Sequence, residues 1–462
     1  MTTASGWMSA ADIACSVRSG DVGAIEVTSQ SLARIGALDD RLHAFLALSP
    51  RAREDAARID ARRDAAGALA GVPVAIKDLT DTAGLVTTYG SVAFSTHVPA
   101  ADDLVVERLK AAGAVVVGKT MTPEFGFGAL CTNALKPPTC NPWNTTLTSG
   151  GSSGGAAAAV AAGMVPLAHG TDFGGSVRTP ASFCGVLSLR PTPGVIPSPR
   201  RPLAFDTLAT HGILARTVDD LELFLDAVAG PDFLDPTSLR VPGPVDGAKS
   251  ATPRMAATED FGVAPVSQAV RTALRAAVSI VEQRCAAVSW RHPDCAGTIE
   301  TFKTLRQPLI RHGFAALVEK YGDALSPTLR WAVGQGAAIT ATQYLAAETR
   351  RSALYRDFVS FFRYCDVLIA PAASVLPWSN AITDVTEIDG HRLDGVIDYL
   401  AVTFIVSLAG CPVVTLPAWT APDLPFGIQL IGAPGTDRQL IATARLLEAA
   451  CGFAFRTPPE FA

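Results

Sequence analysis

The chain has 462 residues, 48% of them hydrophobic and 18% charged, with a formal net charge of −5. That length and balance describe a globular chain with room for one large domain or two to three smaller ones, and they exclude a disordered one. The basic residues are scattered and the balance is acidic, which argues against nucleic-acid or anionic-membrane partners.

The opening stretch, MTTASGWMSAADIACSVRSG, has no basic region leading into an apolar core, so no secretory signal is read there. No apolar run reaches the roughly 18 residues of a membrane span. The nine cysteines are an odd number without CxxC pairs, which fits reduced thiols and a cytoplasmic location better than a disulfide framework. The seven histidines show neither HExxH nor an i,i+4 pair, which speaks against zinc.

Residues 9–68 read as helices, including the charged AREDAARIDARRDAAG. GVPVAIKD (Gly71–Asp78) reads as a buried strand ending in a lysine, DDLVVERLKAAG as an amphipathic helix, and AVVVGKT (Ala114–Thr120) as a second buried strand. Residues 121–150 carry Pro, Asn, Thr and Gly and predict a long irregular segment. TVDDLELFLDAVAG is a helix with a Thr cap and acids in its first turn. Residues 230–253 read as a Pro/Gly-rich connection, and residues 265–287 and most of 298–363 as helical. The tail alternates: DVLIAPAA as a strand, IDYLAVTFIVSLAG as a helix, PVVTLPA and FGIQLIGA as strands, DRQLIATARLLEAACG as a last helix. Strand–helix alternation predicts an α/β layered fold.

Two glycine-serine turns stand out, SGGSSGGAAAAVAAG (Ser149–Gly163) and GTDFGGSVR (Gly170–Arg178). A phosphate loop needs Lys-Ser/Thr after its last glycine, and Gly155 is followed by alanines. Gly151–Gly155 formally matches a GxSxG nucleophile elbow, but that motif sits between a strand and a helix. Here NPWNTTLT reads as loop, and neither His169 nor His211 is singled out as a partner. Tight turns and helix caps would account for one such serine, but poorly for two in ordered spacing behind a strand that ends in Lys77.

A third reading joins the three places. GVPVAIKD, AGAVVVGKT, NPWN, GGSSGGAAAAVAAG, GTDFGGSVRTPASFCG, LRPTPGVIP, GILARTVDDLELFLDAVAG and LAGCPVVTLPA…PFGIQLIG together resemble the amidase signature family. The resemblance spans nearly the whole chain in family order. It implies a single large α/β domain, with a mixed sheet covered by helices on both faces. An N-terminal helical segment (1–70) would pack on the signature core (71–230), and 231–462 would complete the domain with a cap-like helical region, 298–363. It also implies a Ser–Ser–Lys triad. Ser176 would be the nucleophile, Ser152 the bridge after a cis Gly151–Ser152 bond, and Lys77 the base. The oxyanion hole would be the N–H groups of Phe173, Gly174, Gly175 and Ser176.

Lysine can act as a base only when neutral, and burial at the end of an apolar strand favours that form. Asp172 and Arg178 are expected to pair and brace the nucleophile turn. Ser153 is read as supporting Lys77, the alternative being a cap on the alanine helix. Asp78, Thr171, His169 and Cys184 are read as structural. By resemblance Gly126, Phe127 and Gly128 line the acyl pocket, and the apolar FGFGALCTN points to apolar or aryl acyl groups. The chain departs from the family pattern at Ser188–Val195, where Arg190 replaces a lysine and the arginine after Gly194 is missing.

The expected activity is a stand-alone amidase with a small-molecule amide or carbamate substrate, needing no metal or cofactor, and with ester cleavage open to the same chemistry. The alternative is a glutamine-dependent amidotransferase subunit that passes ammonia to a tRNA-acting partner. That branch usually reads GSDTGGSIRQPA where this chain has GTDFGGSVRTPA.

Overall fold

The structure, a computed structural model, describes residues 7–62, 67–240, 252–395, 397–421 and 423–461. It opens with α1 (Ala10–Ser19), α2 (Ala24–Leu42), β1 (Phe45–Leu48) and α3 (Ala52–Asp60). Ser9 starts α1 by accepting from the Asp12 N–H, and left-handed Gly20 stops it. The strand β1 interrupts a region whose composition predicts only helices. The charged helix predicted from Ala52 ends at Asp60, and residues 63–66 lie outside the described ones.

Next come β2 (Pro73–Lys77), α4 (Leu104–Ala111) and β3 (Val115–Thr120), as the apolar runs predict. The segment predicted to be irregular contains a hairpin, β4 (Cys140–Asn141) and β5 (Asn144–Thr148). NPWNTTLT is therefore turn and strand, closed by the Asn141 side chain, which donates to Thr148 O at 3.1 Å. The alanine run forms α5 (Gly154–Ala161), buried on every side, which its small side chains permit. Then follow β6 (Leu167–Asp172), α6 (Arg178–Cys184), β7 (Leu187–Arg190), β8 (Thr210–Ala215) and α7 (Val218–Val228), the last capped by Thr217 as predicted. Of the predicted connection 230–253, residues 241–251 lie outside the described ones.

The second half holds β9 (Met255–Ala257), α8 (Gln268–Arg284) and β10 (Val288–Trp290). The helices α9 (Thr298–Tyr321), α10 (Pro327–Gln335) and α11 (Ala341–Phe361) come next, then β11 (Val367–Pro371). A small hairpin, β12 (Glu387–Ile388) and β13 (His391–Arg392), precedes α12 (Ala401–Leu408), β14 (Val413–Pro417), β15 (Gly427–Ile431) and α13 (Asp437–Cys451).

Eleven strands join in one mixed sheet of order β1-β3-β2-β6-β8-β7-β14-β15-β11-β9-β10. Strands β2, β3, β14 and β15 are buried along their whole length, so they read as largely continuous apolar runs rather than alternating ones. The strands β2 and β6 are parallel neighbours, with Ile76 opposite His169. Their C-terminal ends therefore emerge on one edge, bringing Lys77 beside Thr171 and Asp172. The chain leaves the sheet after β10 and returns at β11, with Val288 and Val367 both opposite Met255 on β9; α9–α11 form the excursion between them.

The ends of the described chain clasp each other. Arg34 donates to Ala162 O at 2.8 Å and Phe461 O at 2.5 Å, Arg41 pairs with Glu460 at 2.5 Å, and Trp7 stacks on Phe455. Among the described residues no helix is long and apolar enough to cross a membrane.

Candidate active site

Lys77 ends β2 with its side chain fully buried. Its Nζ donates to Ser152 Oγ at 2.6 Å and to Thr171 Oγ1 at 2.9 Å. Burial lowers its pKa to about 7, despite the opposing pull of Cys131 and Asp172. A fraction of this amine is therefore neutral near neutral pH. Ser152 is 2% exposed and follows a cis Gly151–Ser152 bond, where the resemblance placed one. Gly126 approaches the same hydroxyl, since a Cβ there would stand 3.4 Å from Ser152 Oγ.

Ser176 lies on the turn between β6 and α6 and is half-buried. The two glycine-serine segments are tied together: the Ser153 N–H donates to Ser176 O at 3.0 Å. The Ser153 side chain does neither of the things expected of it. It occupies the cap position of α5 without capping, and its Oγ donates to Thr171 O at 3.3 Å. Thr171, expected to be merely structural, is instead the second acceptor of Lys77.

Asp172 is the hub of the turn. Its carboxylate accepts from the Gly175 N–H at 2.9 Å and the Val177 N–H at 3.1 Å. It also accepts two bonds from Arg178, at 2.8 and 3.1 Å, and one from Arg190 at 3.3 Å. Burial alone would raise its pKa, but the two guanidiniums and these donors hold the carboxyl well below the usual range. The expected Asp172–Arg178 pair is present and fully buried. Arg178 further donates to Thr403 O, Gln429 Oε1 and Ser407 Oγ, which anchors the turn to α12 and β15. The family-atypical Arg190 also donates to Asp172 O at 2.6 Å.

The engagement of Gly175 narrows the expected oxyanion hole. Its N–H is committed to Asp172, which leaves Phe173, Gly174 and Ser176 as turn donors without a protein acceptor among the described residues. Only glycine fits at position 175: φ is +122°, and a Cβ would run into the Thr403 side chain. Thr403 Oγ1 donates to Gly174 O at 2.6 Å and so fixes the orientation of the next peptide.

Phe127 packs edge-on to Phe314 of α9 at 5.3 Å, and Phe125 meets the same ring at 5.0 Å. Phe173 meets Phe302 of α9 edge-on at 5.7 Å. The Gly126–Gly128 loop therefore stands between Ser152 and an aromatic wall contributed by α9. Gly128 packs on Pro123. His169 and Cys184 are packed core residues, and His169 Nε2 contacts His211 Nδ1 at 3.0 Å. Asp78 accepts from the Thr88 N–H at 2.9 Å and shapes the loop after Lys77.

Three comparisons bear on this arrangement. A family model described as Amidase matches residues 26–441. The A subunit of glutamyl-tRNA(Gln) amidotransferase from Anaeromyxobacter dehalogenans is 36% identical and covered over 95% of both chains. The acylamidase of Rhodococcus erythropolis is 31% identical over 98% of both. The crystal structure of a bacterial aryl acylamidase of the amidase signature enzymes family matches with a TM-score of 0.88 over 97% of this chain and 96% of that one, at 28% identity. The match runs through the whole sheet and both glycine-serine turns, and the chain belongs to the amidase signature family, whose enzymes act on C–N amide bonds.

Proposed function

We propose that this chain is a stand-alone serine amidase that hydrolyses C–N acyl bonds through an acyl-Ser176 intermediate. The observation that carries the reading is the buried Lys77 amine, partly neutral near pH 7 and 2.6 Å from Ser152 Oγ, on the segment hydrogen-bonded to Ser176. Ser176 Oγ attacks the carbonyl carbon while its proton passes to Ser152, whose own proton passes to Lys77. The uncommitted N–H groups of the turn, on Phe173, Gly174 and Ser176, are the donors for the oxyanion, where each such donor is worth about 3–4 kcal/mol. As the intermediate collapses the C–N bond breaks. Lys77 returns its proton through Ser152 to the leaving nitrogen, and an amine departs. Water then attacks the acyl-enzyme by the same relay, releasing the acid and restoring Ser176.

Carbamates and esters present the same carbonyl to the same groups. The aromatic wall beside Gly126–Gly128 favours apolar or aryl acyl groups.

A second reading is the amidotransferase subunit, favoured by the 36% identity to such a subunit. The purified chain alone, assayed against anilides, aliphatic amides, carbamates, esters and glutamine, separates the two. Anilide or amide hydrolysis without a partner supports the first, and glutaminase activity confined to a partner complex supports the second. In either case Ser176→Ala is expected to abolish hydrolysis and covalent labelling by a fluorophosphonate while the thermal transition stays in place. Stoichiometric labelling of that variant would remove Ser176 as the nucleophile.

A further inference from the structure

Helix α9 carries a cation, Arg306, that no described carboxylate neutralises. The Arg306 guanidinium lies over the Phe127 ring, 5.5 Å from its centroid, and makes no hydrogen bond or ion pair among the described residues. The other deeply placed arginines are engaged, Arg190 with Asp172 among them. Arg178 donates to Asp172, Gln429 and Ser407; Arg216 donates to Val165 O at 2.9 Å and Met8 O at 2.7 Å. Nearby charges are already engaged, because Lys303 pairs with Asp398 at 2.7 Å and Glu124 accepts from Ser91 Oγ and the Ser326 N–H. Burial with no opposing carboxylate lowers the Arg306 pKa to about 10, yet the residue keeps accessible surface. A side chain densely surrounded by protein but still reached by solvent faces a concavity.

The concavity is placed by the helix itself. Phe302 stands one turn before Arg306, on the same face. It stacks on Phe404 with centroids 4.0 Å apart, and its ring would lie 3.3 Å from a Cβ on Gly174. One face of α9 thus runs from the nucleophile turn to the loop whose Gly126 touches Ser152, and Arg306 caps the far end of that path. A guanidinium held over an aromatic ring with no hydrogen-bond partner has its N–H donors free, and they form a fork matched to a carboxylate.

The geometry points to Arg306 as a specificity-determining residue that takes a carboxylate on the acyl part of the substrate. The substrate class is then an amide whose acyl group is apolar beside the scissile carbonyl and anionic at its far end. This rests on the amidase reading above.

The test compares monoanilides of succinic, glutaric and adipic acids with neutral unbranched anilides of matched length, read as aniline release. In the wild type, kcat/KM is expected to favour the carboxylated substrate by about tenfold or more at the best length, the scale of a charge-assisted bidentate pair. In Arg306→Gln that ratio should fall to about one, and Arg306→Lys, charged but without the fork, should keep part of it. A merely structural arginine would lower both series together and leave the ratio intact. A wild-type ratio at or below one at every length, or an unchanged ratio in Arg306→Gln, overturns the assignment.

Calorimetric binding of glutaric monoanilide to Ser176→Ala separates this inference from the amidase reading, because it needs no turnover. Binding lost on adding Arg306→Gln supports the Arg306 assignment even if no amide is cleaved by the wild type. Equal binding in the two proteins overturns it even if amides are cleaved.

Discussion

Lys77 has two jobs in the proposed cycle, and they separate on different substrates. As a base it assists attack on any carbonyl; as an acid it protonates a departing nitrogen. An activated ester leaves as a stable phenolate and needs only the first. Lys77→Ala is therefore expected to cost anilide hydrolysis more than phenyl ester hydrolysis, by at least one of the ~10²–10⁴-fold factors that positioned acid–base groups supply. Wild-type kcat/KM should fall on the acid side of about pH 7, where the amine takes a proton, and that limb should vanish in the variant. Equal losses on both substrates with the limb retained would make Lys77 structural.

The same residue weakens the fold. Its amine binds a proton more tightly in the unfolded chain than in the native one, so its burial costs most below about pH 7, and the cost fades as pH rises toward 10. Lys77→Met is expected to gain ~2–4 kcal/mol at pH 6 after losing two hydrogen bonds, with little gain near pH 10, measured by urea unfolding at both. Candidate residues stood out in the sequence where a residue type is rare in its setting, a lysine closing an apolar strand or serines behind glycine pairs, and the family resemblance supplied their proposed roles. Thr171 did not, because a threonine near a strand end is ordinary, and its role depends on β6 lying beside β2.

At the scale of elements, the turn from Asp172 to Arg178 is rigid because one carboxylate collects two backbone N–H groups and two guanidiniums. Asp172→Asn leaves two buried arginines short of a counter-charge and is expected to destabilise by about 3–5 kcal/mol. Because the folded carboxyl is held below its unfolded value, the gap between wild type and variant should stay constant from neutral pH down to about 4. It should narrow only in stronger acid, where the unfolded chain takes up a proton at this carboxyl that the folded one still excludes. Denaturant titrations at pH 7, 5 and 3 read this directly, and a gap already closing at pH 6 would contradict it.

Elements announced by long periodic runs were legible: β2, β3, α4, α7, α8 and the alternating tail. The short strand β1, the β4–β5 hairpin and the central strands β6 and β8 were not. The last two carry His169, Gly170, Thr210 and His211 among their apolar residues, so composition alone did not mark them as sheet. Thr403 was equally hidden, since a helix buried along its whole length gives no sign of which face meets a turn from elsewhere in the chain.

At the scale of the whole molecule, one sheet draws strands from residue 45 to residue 431, and both ends of the described chain meet on its flank. Removing residues 452–461 takes away the Phe455 stack on Trp7 and the Phe461 and Glu460 contacts, none of which involves a residue of the candidate site. Calorimetry should show one transition moved down by several degrees, with KM unchanged; a shifted KM would mean that the clasp reaches the site. The sheet also separates two kinds of inheritance. Because Val288 and Val367 face the same Met255, the α9–α11 excursion starts and finishes at one place on the scaffold, while the proposed bond-breaking groups come from the end of β2, the β5–α5 turn and the β6–α6 turn. Specificity and chemistry can then drift independently, as cassettes on a common frame. A chimera taking residues 292–366 from a relative should adopt that relative's choice of acyl group while keeping the pH limb of its own lysine.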